Sequence, residues 1–304
     1  MERFGQMSVF VAVAECGGFS AAARQLNISP PVITRAIASL ESSLGVKLFN
    51  RTTRYVRLTE AGRRFLEDSK RILDDVRSAE EAAIGVNAEP QGHISVTAPS
   101  MFGQKFVIPC VVDYLNRYPK TRVDAIFLDR VVNLLEEGID VGIRIGQLAD
   151  SSMRALKVGS VRLILCAAPE YLEKHGAPKL PADLKQHAFI SASAGSMGQD
   201  VKFHTDKGPV IVKQQPRLNV NSNPSAIEAA LFGMGLTRVI SYQVEDHLAA
   251  GSLVAVLENF ELPPLPVHIL HREGRLDSAK VRAFIDLMAE HLKNELQPHD
   301  RPVS

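Results

Sequence analysis

Over roughly the first ninety residues the apolar positions keep helical spacing. Phe4, Met7, Phe10, Val11 and Ala14 predict an amphipathic helix that stops at Gly17-Gly18. Ser20 is placed to cap a short second helix, Ala21–Leu26, made of good helix formers, and Asn27-Ile28 makes a tight turn. Ser29 caps a third helix whose first positions are Pro30 and Pro31, where a missing N–H does no harm. Its buried stripe is Ile33, Ile37, Leu40 and Leu44, its opposite face carries Pro31, Thr34, Arg35 and Ala38, and Gly45 ends it. Two short strands are expected at Val46–Phe49 and Tyr55–Leu58, with Arg51 and Arg54 at the hairpin tip. Residues 60–87 then run helical, and Phe65, Ser69, Ile72, Val76, Ala79 and Ala83 alternate steps of four and three. That seam suits either a second helix from another subunit or the chain's own core. Asn87–Gly92, with Pro90, breaks the helix and marks a boundary.

After Gly92 short β-rich runs alternate with helices. Strands are expected at His93–Ala98, Arg122–Phe127, Asp140–Ile145, Leu163–Ala167, Ala188–Ser191, Leu218–Val220, Leu236–Ile240 and Val267–His271. Helices are expected at Phe106–Arg117, Val131–Glu137, Pro181–Lys185, Ala226–Gly233, Ser241–Ala250 and Ser278–Leu296. The alternation predicts an α/β sandwich with mainly parallel sheets, whose ligands lie beyond the carboxyl ends of strands, near helix N-termini. Ser100 follows the first strand and is placed to cap the next helix or to offer its hydroxyl to an anion. Arg144 stands inside a β-branched run, so it must reach solvent, meet a carboxylate or line a cleft. Asn221-Ser-Asn-Pro-Ser225 is a second polar strand-to-helix turn, and Gly233-Met-Gly-Leu-Thr237 enters a strand, with Gly233 as a helix end.

Composition adds limits. The chain has 304 residues, 45% apolar and 23% charged, enough for two or more domains with real cores. The net charge of +1 names no partner, yet residues 24–64 hold eight basic against two acidic side chains, and 65–90 hold three against seven. A local basic island is what phosphate binding needs, although a solvated basic face has the same charge. A short helix, a tight turn and a second helix with small groups beside Arg35 read as a helix-turn-helix whose second helix enters the major groove. The bland rival is a three-helix bundle with a surface arginine, which the basic hairpin disfavours. Cys16, Cys110 and Cys166 lie far apart, which argues against a disulfide framework or a CxxC metal cluster, and the last two fall in apolar elements that suppress thiolate character. No apolar run is long enough to cross a bilayer, and the start, MERFGQMSVF, is unlike a signal peptide, so a cytoplasmic protein without membrane attachment is expected. Gly-x-Ser-x-Gly, P-loop and HExxH motifs are missing, Gly233-Met-Gly235 lacks a third fingerprint glycine, and His93, His175 and His271 read as surface groups. An enzyme, a metal and a cofactor are therefore not expected. The rival from another class is a solute-binding or enzyme domain fused to an architectural DNA binder.

Phe19-Ser-Ala-Ala-Ala-Arg-Gln-Leu, Ser29-Pro-Pro-Val-Ile-Thr-Arg-Ala-Ile, Leu40-Glu, Leu44-Gly, Leu48-Phe-Asn-Arg and Leu58-Thr-Glu-Ala-Gly62 resemble the winged helix-turn-helix of LysR-type transcriptional regulators. Leu135–Gly146, Cys166–Leu172 and Ala249–Val254 are similar to landmarks of that family's effector domain. The resemblance implies an α/β protein: an N-terminal winged helix-turn-helix (1–59), a linker or dimerisation helix (60–88) and a periplasmic-binding-protein-like effector domain (92–296). Subdomain I would span about 92–165 and 267–296, and subdomain II about 166–266. Carried over residue by residue, the DNA contacts are Ser29, Pro30, Pro31, Thr34, Arg35, Arg51 and Arg54. The effector would lie near Ser100, Met101, Phe102, Arg144, Asn223 and Thr237. Implied partners are double-stranded promoter DNA, a small-molecule effector (a carboxylate, on the hint of a polar turn with one arginine), a second copy in a homodimer or homotetramer, and RNA polymerase. This sequence departs from the family at Pro30 and Ala36, where glutamine is common, and at Ser241, where proline is common; Val201-Lys-Phe203 lacks a frequent tryptophan. It looks closest to the branch with arginine at 144 and the turn Asp150-Ser-Ser.

Overall fold

The computed structural model describes residues 2–51, 56–84, 89–148, 153–192, 200–272 and 278–296. It forms two compact units, one built on the stretch up to His93, the other on the stretch from Ile94 onward.

In the first unit α1 (Arg3–Cys16), α2 (Phe19–Leu26) and α3 (Pro30–Leu44) pack around Phe10, Val13, Ile33, Ile37 and Leu40, all fully buried. The expected stripe of α3 is thus the core face. Helix α2 starts earlier than Ser20, after Gly18, and no side chain caps it. Ser29 takes the N-cap position of α3, but through its backbone: its carbonyl accepts from Val32 N (3.0 Å) and Ile33 N (3.3 Å), while its hydroxyl makes no cap bond. The hairpin is shifted from its expected place. Strand β1 is Phe49–Arg51 and pairs antiparallel with β2, Val56–Leu58, so Arg51 lies opposite Val56 on a strand and not at the tip. Leu48 and Phe49 are drawn inward by the core, and the Phe10 ring meets those of Phe49 (5.2 Å) and Phe65 (5.3 Å) at a tilt. Helix α4, Glu60–Ile84, packs the front of its seam on this same core: Phe65 joins it and Ser69 is fully buried. Gly62 is where α4 meets the loop before β1, since a Cβ there would stand 2.1 Å from Leu48 O.

Glu41 ties the two halves of this unit. Only 3% exposed, its carboxylate accepts from Leu48 N (2.9 Å), Phe49 N (3.2 Å) and Lys47 Nζ (2.9 Å). Burial pushes its pKa up, but the bonds from Lys47, Leu48 and Phe49 outweigh burial and leave it below the usual carboxylate value. A lowered folded pKa means stabilisation that is complete above the unfolded carboxyl pKa and lost as pH falls through the folded one. Glu41→Ala is expected to cost about 2–3 kcal/mol at neutral pH, because two backbone N–H groups lose their acceptor. Chemical denaturation at pH 7 and near pH 3 checks this: the gap between wild type and variant should shrink in acid.

The second unit opens with β3 (Gly92–Ala98), α5 (Ser100–Phe102), a π-helical turn (Gly103–Val107) and α6 (Ile108–Arg117). Then come β4 (Thr121–Phe127), β5 (Val141–Ile145) and β6 (Met153–Val161). The chain crosses to a second sheet with β7 (Leu163–Ala167), α7 (Pro169–His175), β8 (Phe189–Ser191), the hairpin β9 (Asp200–Thr205) and β10 (Gly208–Lys213), and β11 (Leu218–Asn219). It continues through α8 (Asn223–Leu231), β12 (Leu236–Ile240), α9 (Glu245–Ala249) and β13 (Val254–Val256). It returns with β14 (Leu265–Arg272) and α10 (Ala279–Glu295). The sheets are β4-β3-β5-β14-β6 and β11-β8-β12-β7-β13.

Both sheets are mixed, which corrects the expectation of mainly parallel ones. β3–β5, β8–β11 and β8–β12 are parallel, but β14 is antiparallel to β5 and β6, and β7 to β12 and β13. Each strand that enters the other half arrives without a helical crossover and so runs antiparallel to its neighbours. The first crossing falls at Arg162, earlier than Cys166, because β7 pairs within the second sheet from Leu163 on. The expected helix at Val131–Glu137 is a turn: Asn133 Oδ1 accepts from Leu135 N (3.1 Å), and this local bond competes with helix formation. The expected helix at Ser241–Ala250 is a 3₁₀ turn, Ser241–Gln243, followed by α9. His271 is 5% exposed on β14 and is no surface group. Strands β6, β9, β10 and β13 and helix α7 were not expected.

Candidate nucleic-acid interface and effector cleft

Burying Ile33, Ile37 and Leu40 turns the other side of α3 outward by helical geometry. Ser29, Pro30, Pro31, Thr34, Arg35 and Ala38 are all exposed on it. Thr34 donates its hydroxyl to Pro30 O (3.1 Å), which fixes that side chain along the helix and leaves the face low. Arg35 rises from this low face and makes no hydrogen bond or ion pair among the described residues. Ala36, one of the departures from the family pattern, is buried and is no part of that face.

The basic island is smaller electrically than its composition. Lys47 is paired with Glu41 (2.9 Å), and Arg63 (2.6 Å) and Arg64 (3.6 Å) share Glu60. Arg24 on α2 is exposed and, like Arg35, has no ionic partner among the described residues. Two free guanidiniums on adjacent helices suit one phosphate contact and one base contact. Arg24 was not singled out in the sequence; its only signal there was membership of the basic island. The side chain of Arg51, and Arg54 altogether, lie outside the described residues. Arg57, exposed on β2 opposite Asn50, is a further wing cation.

In the second unit Ser100 is the first residue of α5, with Pro99 at the cap position, so Ser100 caps nothing. Its N–H donates to Asp129 Oδ1 (2.9 Å). Met101 packs against the apolar clusters of both sheets and so spans the two halves of the domain. Phe102 is fully buried and meets Phe106 (4.7 Å) and Tyr242 (5.5 Å), with Tyr242 supplied by the second half. Lys105 makes a 2.5 Å ion pair with Glu245 of α9, a second tie between the halves. Tyr242 buries its hydroxyl beside Gln243 without a hydrogen bond of ordinary geometry, and burial raises its pKa. No sequence pattern marked Tyr242, because its position depends on the turn that replaces an expected helix.

Thr237 is fully buried opposite Cys166, and its hydroxyl faces Ile190 O at 3.3 Å. Asn223 starts α8, which lays Ala226, Ile227 and Ala230 on the cluster that Met101 also touches. Of the expected effector residues, Met101 and Phe102 reach across between the two sheets, whereas Ser100 bonds within the first half and Thr237 and Asn223 belong to the second. Arg144 is not brought to Met101 and Phe102. It follows Ile143, which faces the Phe102 cluster, so strand alternation sends it to the opposite side. There it donates to Val132 O, with Glu137 nearby, and burial lowers its pKa. Cys110 and Cys166 are both buried, and desolvation pushes each thiol up to about 12, far from a reactive thiolate. Among the described residues no group of His, Cys, Asp and Glu is placed to hold a metal ion, and no helix is long and apolar enough to cross a membrane.

Comparison with known proteins adds to this geometry. Residues 4–63 match the bacterial regulatory helix-turn-helix of the lysR family, and residues 87–293 match the LysR substrate binding domain. The chain is 31% identical over 293 residues to the HTH-type transcriptional regulator CrgA of Neisseria meningitidis, covering 96% of this chain and 97% of that one. It is 31% identical over 291 residues to the HTH-type transcriptional activator AaeR of Escherichia coli, covering 96% and 94%. Among solved structures, CrgA superposes with a TM-score of 0.60 at 30% identity, covering 95% and 98%. The full-length Vibrio cholerae virulence activator AphB gives 0.61 at 28%, covering 95% and 100%.

Proposed function

The chain belongs to the LysR family of DNA-binding transcriptional regulators with an effector-binding domain, and from that premise we propose how its own residues divide the work. Helix α3 lies in the major groove of promoter DNA. Ser29, Pro30, Pro31 and Thr34 form a shallow approach surface, and Arg35 reaches a base edge, with Arg51 and Arg54 on the wing reaching the backbone. The observation that carries this reading is Arg35 itself: exposed, unpaired and flanked by small side chains on the face that the core leaves over. The rear of α4, with Ile72 and Val76 half-buried, pairs two or more subunits and sets the spacing of two recognition helices.

The effector sits at the junction of Ser100, Met101, Phe102, Asn223 and Thr237, with Tyr242 as a further wall. A small carboxylate is the class we assign, because the start of α8 offers the positive end of a helix and the N–H of Asn223, Pro224 having no N–H and Ser225 N being capped by Ser222 Oγ. Arg144 acts on this site through the Val132–Glu137 segment, not by direct contact. Occupancy shifts the closure of the two halves and hence the geometry of the paired DNA-binding units, a coupling of about 1–3 kcal/mol. In the cytoplasm that change is passed to RNA polymerase at the promoter.

An electrophoretic shift assay on DNA upstream of the gene tests the reading. Retardation that survives about 150 mM salt and excess nonspecific DNA is expected. Retardation that vanishes with salt regardless of sequence would favour a plain architectural binder.

A further inference from the structure

Ala188 joins three segments through its N–H and its carbonyl. The N–H donates to Tyr171 Oη on α7 (2.9 Å), and the carbonyl accepts from Leu236 N at the start of β12 (2.9 Å). The chain before Leu236 runs so close that a Cβ on Gly235 would stand 2.3 Å from Ala188 O. Ala188 itself leads into β8, so α7, β8 and β12 are fastened at one residue. Phe189 and Leu236, opposite each other in the sheet, are buried with Tyr171 in one apolar cluster.

This fastening depends on a histidine. Tyr171 Oη already accepts from Ala188 N, so its own proton needs an acceptor, and His187 Nδ1 lies 3.3 Å away. Among the described residues neither side chain has a further hydrogen-bond partner. The hydroxyl therefore donates to a bare Nδ1, and the imidazole is neutral with its proton on Nε2. A proton on Nδ1 would set two donors against each other and turn the hydroxyl proton of the buried Tyr171 toward no acceptor. The charged groups facing His187 are His175 of α7, which stacks on the Tyr171 ring (4.6 Å), and Asp183 of the 3₁₀ turn Pro181–Gln186. Asp183 is itself engaged by Lys179 N and Leu180 N (2.9 Å each). Strand β8 carries no charge, and β10, which packs against that turn, carries one, on the exposed Lys213. Burial, and after it His175, hold the His187 pKa below its ordinary value against the smaller pull of Asp183.

We propose that His187 is a proton-sensitive pin of the effector domain: neutral, it holds the Tyr171 hydroxyl and through it the meeting of α7, β8 and β12; protonated, it lets that meeting loosen. The sign follows from the lowered folded pKa. The stabilisation is complete above about 6.5, the unfolded value, and is lost as pH falls through the folded one.

Amide hydrogen exchange of the full-length protein, followed at Ala188 and corrected for the intrinsic effect of pH, tests it. In wild type the protection of Ala188 should fall below pH 6.5, by up to about tenfold per pH unit, because opening takes up one proton. His187→Asn places Oδ1 where Nδ1 stood and binds no proton, so it should keep the neutral-pH protection and flatten the acid loss. Tyr171→Phe should remove the protection at every pH. It should also raise the pH at which His187 titrates, read from the ring signals of carbon-13-labelled histidine. An acid loss of equal size in wild type and His187→Asn, or protection that does not change with pH, overturns the proposal. So does a His187 titration that Tyr171→Phe leaves in place, a readout that does not depend on the asparagine variant. Neither DNA nor an effector enters these measurements, so their failure leaves the regulator reading untouched.

Discussion

Arg35→Ala is expected to remove sequence-specific operator binding while leaving the DNA-binding unit folded. The side chain is exposed and bonds to nothing within the described chain, so its loss opens no cavity and leaves no partner unsatisfied. Bound to guanine O6 and N7, one arginine contributes about 1–3 kcal/mol of discrimination. Two subunits on two half-sites double that, so operator affinity should fall by about 10²-fold or more. Arg24→Ala is the natural contrast. A phosphate contact should weaken all DNA alike and reduce the log–log salt slope by about one. Fluorescence anisotropy with operator and scrambled duplexes at several salt concentrations separates the two patterns. Undiminished operator preference in Arg35→Ala would remove the base-reading role from α3.

Arg162→Ala should be among the most destabilising changes in the effector domain. Arg162 sits where the chain first crosses between the sheets, 5% exposed. It reaches across to the second crossing, pairing with Glu261 (2.8 Å) and Glu258 (3.2 Å). Its backbone is held as well: its carbonyl accepts from Ser241 N (2.8 Å), and its N–H donates to Ser241 Oγ (3.3 Å). Ser241 thus supplies, where the family often has proline, both an N–H and a hydroxyl that proline lacks. Removing the guanidinium leaves Glu261 nearly buried and unbalanced, at a cost of about 3 kcal/mol; Glu258, more exposed, adds little. For a domain of this size the midpoint should drop by about 6–12 °C. The double variant Arg162→Met with Glu261→Gln should recover a good part of the loss, since the stranded charge is gone. Calorimetry of wild type, Arg162→Met, Glu261→Gln and the double variant measures the cycle, and a double variant no better than Arg162→Met would mean that packing, not charge balance, is what Arg162 contributes.

Much of the first unit was legible because its cues are local. Ile33, Ile37 and Leu40 repeat at helical spacing, so the core face of α3, and with it the outward Arg35, follows from geometry alone. The hairpin was misplaced by a few residues because Leu48 and Phe49 have strand-like side chains, yet Leu48 serves the core instead. In the second unit, strands that are short runs of apolar or β-branched residues, such as Leu163–Ala167 and Leu236–Ile240, read correctly. Strand β6, with polar and exposed residues in Met153–Val161, carries no such signal and is held by pairing with β14.

The amino-acid order by itself determined the helix-turn-helix, the family, the presence of an α/β effector domain and the exposed arginine. Each of these depends on residues within a few turns of one another. Only the tertiary structure decided that Arg144 faces away from Phe102, that Tyr242 from the second half packs against Phe102, and that Arg162 and Glu261 join two crossings nearly a hundred positions apart. Strand order, sheet face and charge pairing are contacts between distant segments, and a burial pattern read along the chain does not say which segment will supply the other side.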